Sequence, residues 1–231
     1  DEQGVAQSVA EALQEQGQAA ALVRMGEYTE VLAPGQYRAD LTTPATVHEL
    51  LDLIRQQQGP VAGLIHLLPL RNGYGLDPIE HSDTYDCTQT EVKSLFNLTK
   101  EASKDLKEAA QHGGACVLAA TAMGGAFGSV SADDGPAFFP GHGGVAGLVK
   151  TVAREWPTIR AKVIDTDVLA SASDVATKVL REMRTGDVEV EVGYQGSRRL
   201  VLQPTLSPLD REKAPALIID SAWVILVNGG A

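Results

Sequence analysis

The sequence is short of cysteine, of positive charge and of long hydrophobic runs, and each shortage removes a class of protein. Two cysteines, Cys87 and Cys116, among 231 residues are too few for a disulfide-stapled secreted scaffold. The first residues have neither the basic region nor the apolar stretch of a signal peptide, and a reducing cytoplasm is the expected compartment. No apolar run approaches the roughly 18 to 20 residues that span a bilayer, so no membrane partner is expected. Lys and Arg number 19 against 30 Asp and Glu, a net charge of -11 with no basic patch, which argues against a nucleic-acid partner. What is present is a folding composition, 44% hydrophobic and 21% charged, at a length that suits one large α/β unit.

Hydrophobic periodicity divides the chain into alternating helices and strands. The opening segment carries Val5, Val9, Ala12 and Leu13 at helical spacing and runs through a tight turn into the strand-like AAALVRM. EYTEVLAPGQYRADL offers short extended segments broken by Pro34 and Gly35. TTPATVHELLDLIRQQQG opens with capping residues and Pro44 before Val47, Leu50, Leu51 and Ile54 repeat on one face. PVAGLIHLLPL has strand length, and EVKSLFNLTKEASKDLKEA sets Val92, Leu95, Phe96, Leu98 and Ala102 on one predicted helical face. GACVLAATAMG is a further buried strand, and GVAGLVKTVAREW is a helix that stops at Trp156-Pro157. IRAKVIDTD reads as a strand, SASDVATKVLREMRTG as a capped helix, and EVEVGYQGSRRLVLQP as two short strands joined at a glycine turn. This alternation predicts an α/β fold, a doubly wound, mostly parallel sheet with helices on both faces. One domain is expected over residues 1–208, a polar linker over 209–216, and an apolar strand-like segment ending in two glycines over 217–231. The strand that normally opens a doubly wound domain is not seen before the first helix, so the pattern predicts a piece of a longer polypeptide.

A dinucleotide site needs close-set glycines between a strand and a helix, because backbone amides at the helix start must reach the pyrophosphate. Only Gly4 precedes the first helix, and GxGxxG does not occur there. Val227-Asn228-Gly229-Gly230-Ala231 begins such a loop after an apolar strand but lacks the following helix, so Gly229 and Gly230 announce a cofactor loop without completing it. His66 reads as a buried histidine hydrogen-bonded to backbone. His48, His81, His112 and His142 form no HExxH and no close Cys/His cluster, so no metal is expected. Asp165 and Asp167 stand at a strand end, where open sheets contact ligands, yet without an evident partner they read as loop-solvating or helix-capping carboxylates. Gly141-His142-Gly143-Gly144 lacks the GK[ST] ending of a phosphate loop and reads as a tight lead into a helix. Tyr74, Tyr85 and Tyr194 have no lysine three or four residues on, so no catalytic acid–base pair is assembled.

The segments GVAQSVAEALQEQGQ, IHLLPL, SLFNLTKEA, ACVLAATAMGG, GVAGLVKTVAREWPTIRAKVIDTD and VEVGYQGSRRLVLQP together resemble a short-chain dehydrogenase/reductase with a Rossmann-like fold. More narrowly, they resemble the structural, noncatalytic subdomain of a ketoreductase domain from a modular polyketide synthase or polyunsaturated fatty acid synthase. In such synthases the truncated half precedes a catalytic half whose first strand leads into a TGG-type loop, and VILVNGGA is similar to that strand, with Asn228 at the threonine position. Active relatives use a serine after the fifth strand and a tyrosine followed four residues later by lysine. The resemblance places Thr121 near the serine, Phe138 at the tyrosine and His142 at the lysine, which implies a degenerate site. Asn97 resembles the family asparagine of a proton relay and reads equally as a helix residue touching backbone or water. Gly4 resembles one glycine of a former pyrophosphate loop, with the acidic Glu2 close by.

The resemblance implies no cofactor in this chain and NADPH in the adjoining half. It implies as partners a catalytic ketoreductase subdomain in the same polypeptide and an acyl carrier protein. It also admits a homodimer through helices equivalent to residues 91–111 and 143–156. The alternatives are an independently active short-chain reductase with an atypical proton donor, or a dimerisation module.

Overall fold

The computed structural model describes residues 4–71, 85–129, 138–167, 169–207, 222 and 224–226. Helix α1 (Val5–Gln14) starts from Gly4 in the left-handed region, with φ of 85°. Strands β1 (Leu22–Met25), β2 (Glu30–Ala33) and β3 (Gln36–Ala39) follow, the last two turning at Gly35. Helix α2 (Pro44–Gln58) begins with proline in its first turn, where the missing N–H is not needed. The Asp40 carboxylate accepts from the Thr42 N–H and from both Thr42 and Thr43 hydroxyls, tying the turn that leads in.

Strand β4 (Gly63–His66) comes next, and a π-helical turn (Thr88–Lys93) runs into α3 (Ser94–Glu101) and α4 (Ser103–Gln111). Strand β5 (Cys116–Thr121), helix α5 (His142–Glu155), strand β6 (Arg160–Thr166), helix α6 (Ala172–Arg184) and the hairpin β7 (Glu191–Gln195) and β8 (Arg198–Val201) complete the order. Ser171 caps α6 by accepting from the Asp174 N–H.

The doubly wound expectation holds. Strands β4, β5, β6 and β7 are parallel in that order, with β8 antiparallel on the edge. Alternate residues of the central strands face opposite sides. Val117, Ala119 and Val163 pack on Leu50, Leu95, Leu106 and Val149, while Ala120, Ile164 and Val192 pack on Val5 and Val9 of α1 and Val175 and Val179 of α6.

Three details differ from the sequence reading. Strands β1, β3 and β2 form a separate three-stranded sheet, and among the described residues β1 does not pair with β4. The predicted helix over 91–109 is interrupted, opening as a π turn and breaking at Ala102. Its buried stripe is Leu95, Leu98, Ala102 and Leu106, a spacing that turns Phe96 outward, with Lys100 Nζ 5.9 Å from its ring centre. Finally, α5 starts at His142, so the glycines Gly143 and Gly144 lie inside its first turn. The proposed linker at 209–216 and the two glycines Gly229 and Gly230 lie outside the described residues.

Candidate functional site

Strands β4, β5 and β6 end side by side, at the edge where open parallel sheets present ligand-binding groups. His66 is the last residue of β4 and Thr121 the last of β5, and the register sets Thr121 beside Asp165 of β6. All three are buried. Glu91 from the π turn and His142 from the start of α5 close over the same end, and both are completely buried.

Asp165 organises one half of this cluster. Its Oδ1 accepts from the Thr121 hydroxyl at 2.8 Å and the Met123 N–H at 2.7 Å, and its Oδ2 from the Phe127 N–H at 2.8 Å. Burial pushes the Asp165 carboxyl above the usual aspartate range, and these three donors pull against that rise. The expected loop-solvating or capping role is therefore corrected for Asp165. Its partners lie at the end of β5 and in the loop after it, far away in sequence, so only the parallel pairing of β5 with β6 reveals them. Asp167 behaves as expected, exposed and accepting from the Leu169 N–H at 3.0 Å. The loop held by Asp165 bends through Phe127, a non-glycine at φ of 54°, and through Gly125. A Cβ on Gly125 would lie 2.1 Å from the Tyr194 carbonyl oxygen, so this loop lies directly on β7.

Glu91 organises the other half. Its carboxylate lies 3.2 Å from His142 Nε2 and 3.1 Å from the Arg71 guanidinium. Its backbone carbonyl accepts from His66 Nε2 at 2.7 Å. Burial drives the His66 imidazole down to about 4, so the ring is neutral near pH 7, the backbone-bonded histidine that the sequence predicted. On the other side of the His142 ring, Nδ1 faces the Ala122 N–H at 3.5 Å, and Phe139 packs edge-on at 5.8 Å. Phe138 is half-buried and covers Gly128, where a Cβ would meet the ring at 2.6 Å.

The structure thus brings Thr121 and His142 to one strand end. Asn97 bonds elsewhere, its Nδ2 donating to the Leu41 and Thr42 carbonyls at 3.1 and 3.0 Å and tying α3 to the turn before α2. Glu91 was missed by sequence reasoning. A carboxylate beside predicted core residues gives no sign of burial, and a π turn has no period to read. Among the described residues no group of three or more His, Cys, Asp or Glu could hold a metal ion, and no helix is long and apolar enough to cross a membrane.

A family model described as enoyl-(acyl carrier protein) reductase matches residues 1–189. The chain belongs to this short-chain reductase family. No curated protein matches it. Solved structures share the short-chain reductase fold at low identity. One is the multidomain structure of a keto acid-selecting NRPS module, with adenylation, ketoreductase and pseudo Asub parts. It is 20% identical over 90% of this chain and 16% of that chain, with a TM-score of 0.69. This chain therefore spans a small fraction of that module. An apo SCOR enzyme from Clostridium thermocellum is 12% identical over 81% of this chain and 84% of its own, with a TM-score of 0.61. A short-chain dehydrogenase/reductase family oxidoreductase from Brucella ovis, in complex with a partially ordered NAD, is 14% identical over 81% and 91%, with a TM-score of 0.60. In this short-chain reductase chain, Phe138 offers no ionisable hydroxyl, the Thr121 hydroxyl donates to Asp165, and the His142 ring is enclosed.

Proposed function

We propose that this chain is the noncatalytic structural half of a polyketide synthase-type ketoreductase. It would support NADPH-dependent reduction of a carrier-protein-bound β-ketoacyl thioester by an adjoining catalytic half of the same polypeptide. One observation carries the reading. The positions that the resemblance assigns to serine and lysine hold side chains with no solvent exposure, Thr121 bonded to Asp165 and His142 against Glu91, and the tyrosine position holds Phe138.

A general acid must reach the substrate oxygen, and a phenylalanine ring has no proton to give. A cation that holds a cofactor ribose must also face the ligand. His142 instead lies between Glu91 and Ala122, so these residues do not fit a nicotinamide cofactor, and NADPH is assigned to the adjoining half. The likeness to part of a module that includes a ketoreductase supports the same assignment.

The test is a titration of residues 1–231 with NADPH, followed by fluorescence, together with turnover of a small β-ketoacyl thioester. Neither saturable binding nor NADPH oxidation is expected. Saturable binding with thioester reduction would overturn the proposal and favour an independently active reductase with an atypical donor.

A further inference from the structure

Helices α3 and α4 bury Leu95, Leu98, Ala102 and Leu106 and turn the opposite face to solvent. Along that face lie Lys93, at the end of the π turn, and then Phe96, Lys100, Lys104 and Lys107, spaced by three or four residues and all exposed. At the helical rise of about 1.5 Å per residue the row is about 21 Å long. The other lysines among the described residues are committed, Lys150 to Glu191 at 3.0 Å, Lys162 to Glu182 at 2.9 Å and Lys178 to Asp174 at 2.5 Å. Among the described residues the four lysines of the row make no ion pair.

The acids that interleave with these lysines in the sequence hide the patch there, and the fold sorts them away from it. Glu101 accepts from His48 Nδ1 at 2.7 Å and Asp105 from Arg55 Nε at 2.9 Å, both toward α2. Glu108 is exposed beside the row, one carboxylate against four cations. On the α5 side the row is bounded by Trp156, whose ring centre lies 4.6 Å from Lys107 Nζ. Phe96, 49% exposed, sits among the lysines with Lys100 Nζ over its ring. A chain of net charge -11 thus carries a local cationic face around an exposed aromatic ring.

Cations at every third or fourth position around an aromatic ring match a helix that repeats carboxylates at the same spacing with an apolar residue among them. A second copy of the chain does not supply that chemistry, since a two-fold axis through this face sets lysine against lysine. A phosphate backbone fits worse. It carries a charge every 1.7 Å or about that, would run past the row over an acid-rich protein, and would meet no arginine in the row to bond it in bidentate fashion. We propose that the exposed face of α3 and α4 docks an acidic amphipathic helix of a partner protein, with its carboxylates on Lys93, Lys100, Lys104 and Lys107 and an apolar side chain on Phe96. This inference stands whether or not the chain catalyses.

The probe is a fluorescein-labelled helical peptide of about four turns, with Glu at i, i+7, i+11 and i+14 and Leu at i+3, titrated with residues 1–231 and followed by anisotropy. Saturable binding is expected, weakened about tenfold or more by Lys100→Glu with Lys104→Glu. Phe96→Ser, which leaves the charge alone, is expected to weaken it as well, and a peptide with Gln for Glu is expected not to bind. Arg24→Glu with Arg198→Glu makes the same change in net charge at exposed cations elsewhere and is expected to leave binding in place. Should the Lys→Glu pair disturb folding, Lys93→Gln with Lys100→Gln carries the same meaning. Absence of saturable binding overturns the proposal, as does equal weakening by the Arg24 and Arg198 pair, which assigns the binding to net charge. So does tighter lysine-dependent binding of duplex DNA or phosphatidylserine vesicles, which assigns the face to phosphate, or a dimer in light scattering that dissociates in the lysine variant, which assigns it to a second copy.

Discussion

His142 Nε2 and a carboxylate oxygen of Glu91 lie 3.2 Å apart, and neither side chain has any exposure to solvent. Glu91 also meets the Arg71 guanidinium at 3.1 Å, so its carboxylate is a shared partner inside the protein. Removing one member of a buried pair leaves the others desolvated without compensation, at a cost of about 3–5 kcal/mol. Glu91→Ala should lose that much in urea unfolding, and Glu91→Gln, which keeps the shape and an acceptor, should lose less. Equal midpoints and slopes for Glu91→Ala and the parent would show that the pair contributes nothing to the fold.

The proposed structural role makes a sharper demand on Phe138 and His142. Writing in the tyrosine and lysine that the resemblance assigns to these positions, as Phe138→Tyr with His142→Lys, should not create reductase activity. The Thr121 hydroxyl still donates to Asp165, and a lysine at position 142 would meet the Glu91 carboxylate. NADPH oxidation with a β-ketoacyl thioester is the measurement. Turnover by the double variant would contradict the proposed structural role.

His66 supplies a pH dependence. Its folded value, driven down to about 4 chiefly by burial, lies below the ordinary 6.5, so between those two values the unfolded chain binds the proton and the folded chain does not. Its contribution is complete above pH 6.5 and is lost as pH falls toward 4, by about 3 kcal/mol. His66→Gln should flatten the melting temperature across that window. A parent whose melting temperature is level from pH 6.5 to 4 would contradict the assignment of His66 as a buried neutral ring.

Much of the fold was legible because its elements carry their own periods. The continuous apolar run from Val117 to Ala120, or the repeat of Val47, Leu50, Leu51 and Ile54, is written locally and survives into the structure. The site was legible only where a residue acts alone, as at His66. Asp165 and Glu91 owe their roles to partners brought in by sheet register and helix packing, and no spacing along the chain records them. That β1 and β4 fall in separate sheets among the described residues was invisible for the same reason, since strand order belongs to the assembled sheet. Phe96 shows the converse, an apolar residue at a plausible position that the π turn and the break at Ala102 leave facing solvent.

Close backbone approach gives a paired prediction. A Cβ on Gly193 in β7 would sit 2.1 Å from the Gly125 carbonyl oxygen, whereas a Cβ on Gly147 in α5 meets nothing within 4 Å. Gly193→Ala should therefore destabilise by about 1–3 kcal/mol through overpacking. Gly147→Ala should stabilise by about 0.5–1 kcal/mol, because alanine loses less backbone freedom in a helix. Thermal or urea unfolding of the two variants measures both signs, and similar effects would contradict the contact between the loop and β7.

At the opposite end of β6, Glu182 of α6 is fully buried and accepts from Lys162 Nζ at 2.9 Å, Tyr194 Oη at 2.5 Å, and Arg199 through Nε at 2.7 Å and Nη2 at 2.9 Å. Burial alone would raise its carboxyl, but the hydrogen bonds from Arg199, Tyr194 and Lys162 overcome it and bring it down to about 2. The same burial and the bond to Glu182 push Tyr194 up to about 12, so the phenol stays protonated and remains a donor. Because the folded value lies below the ordinary 4.5, the unfolded chain takes up the proton first as pH falls. The stabilisation is complete above pH 4.5 and is lost toward pH 2, by about 3 kcal/mol. This window lies mostly below that of His66, so the two variants separate them. Glu182→Gln should remove the acid loss below pH 4.5 while leaving the slope between 6.5 and 4.5 in place, and should weaken the fold at pH 7 by about 3–5 kcal/mol because Lys162 and Arg199 then share a neutral partner. An unfolding midpoint at pH 7 that does not move on Glu182→Gln would show that Asp187, which also accepts from Lys162 and Arg199 at 2.5 Å each, suffices to hold both cations.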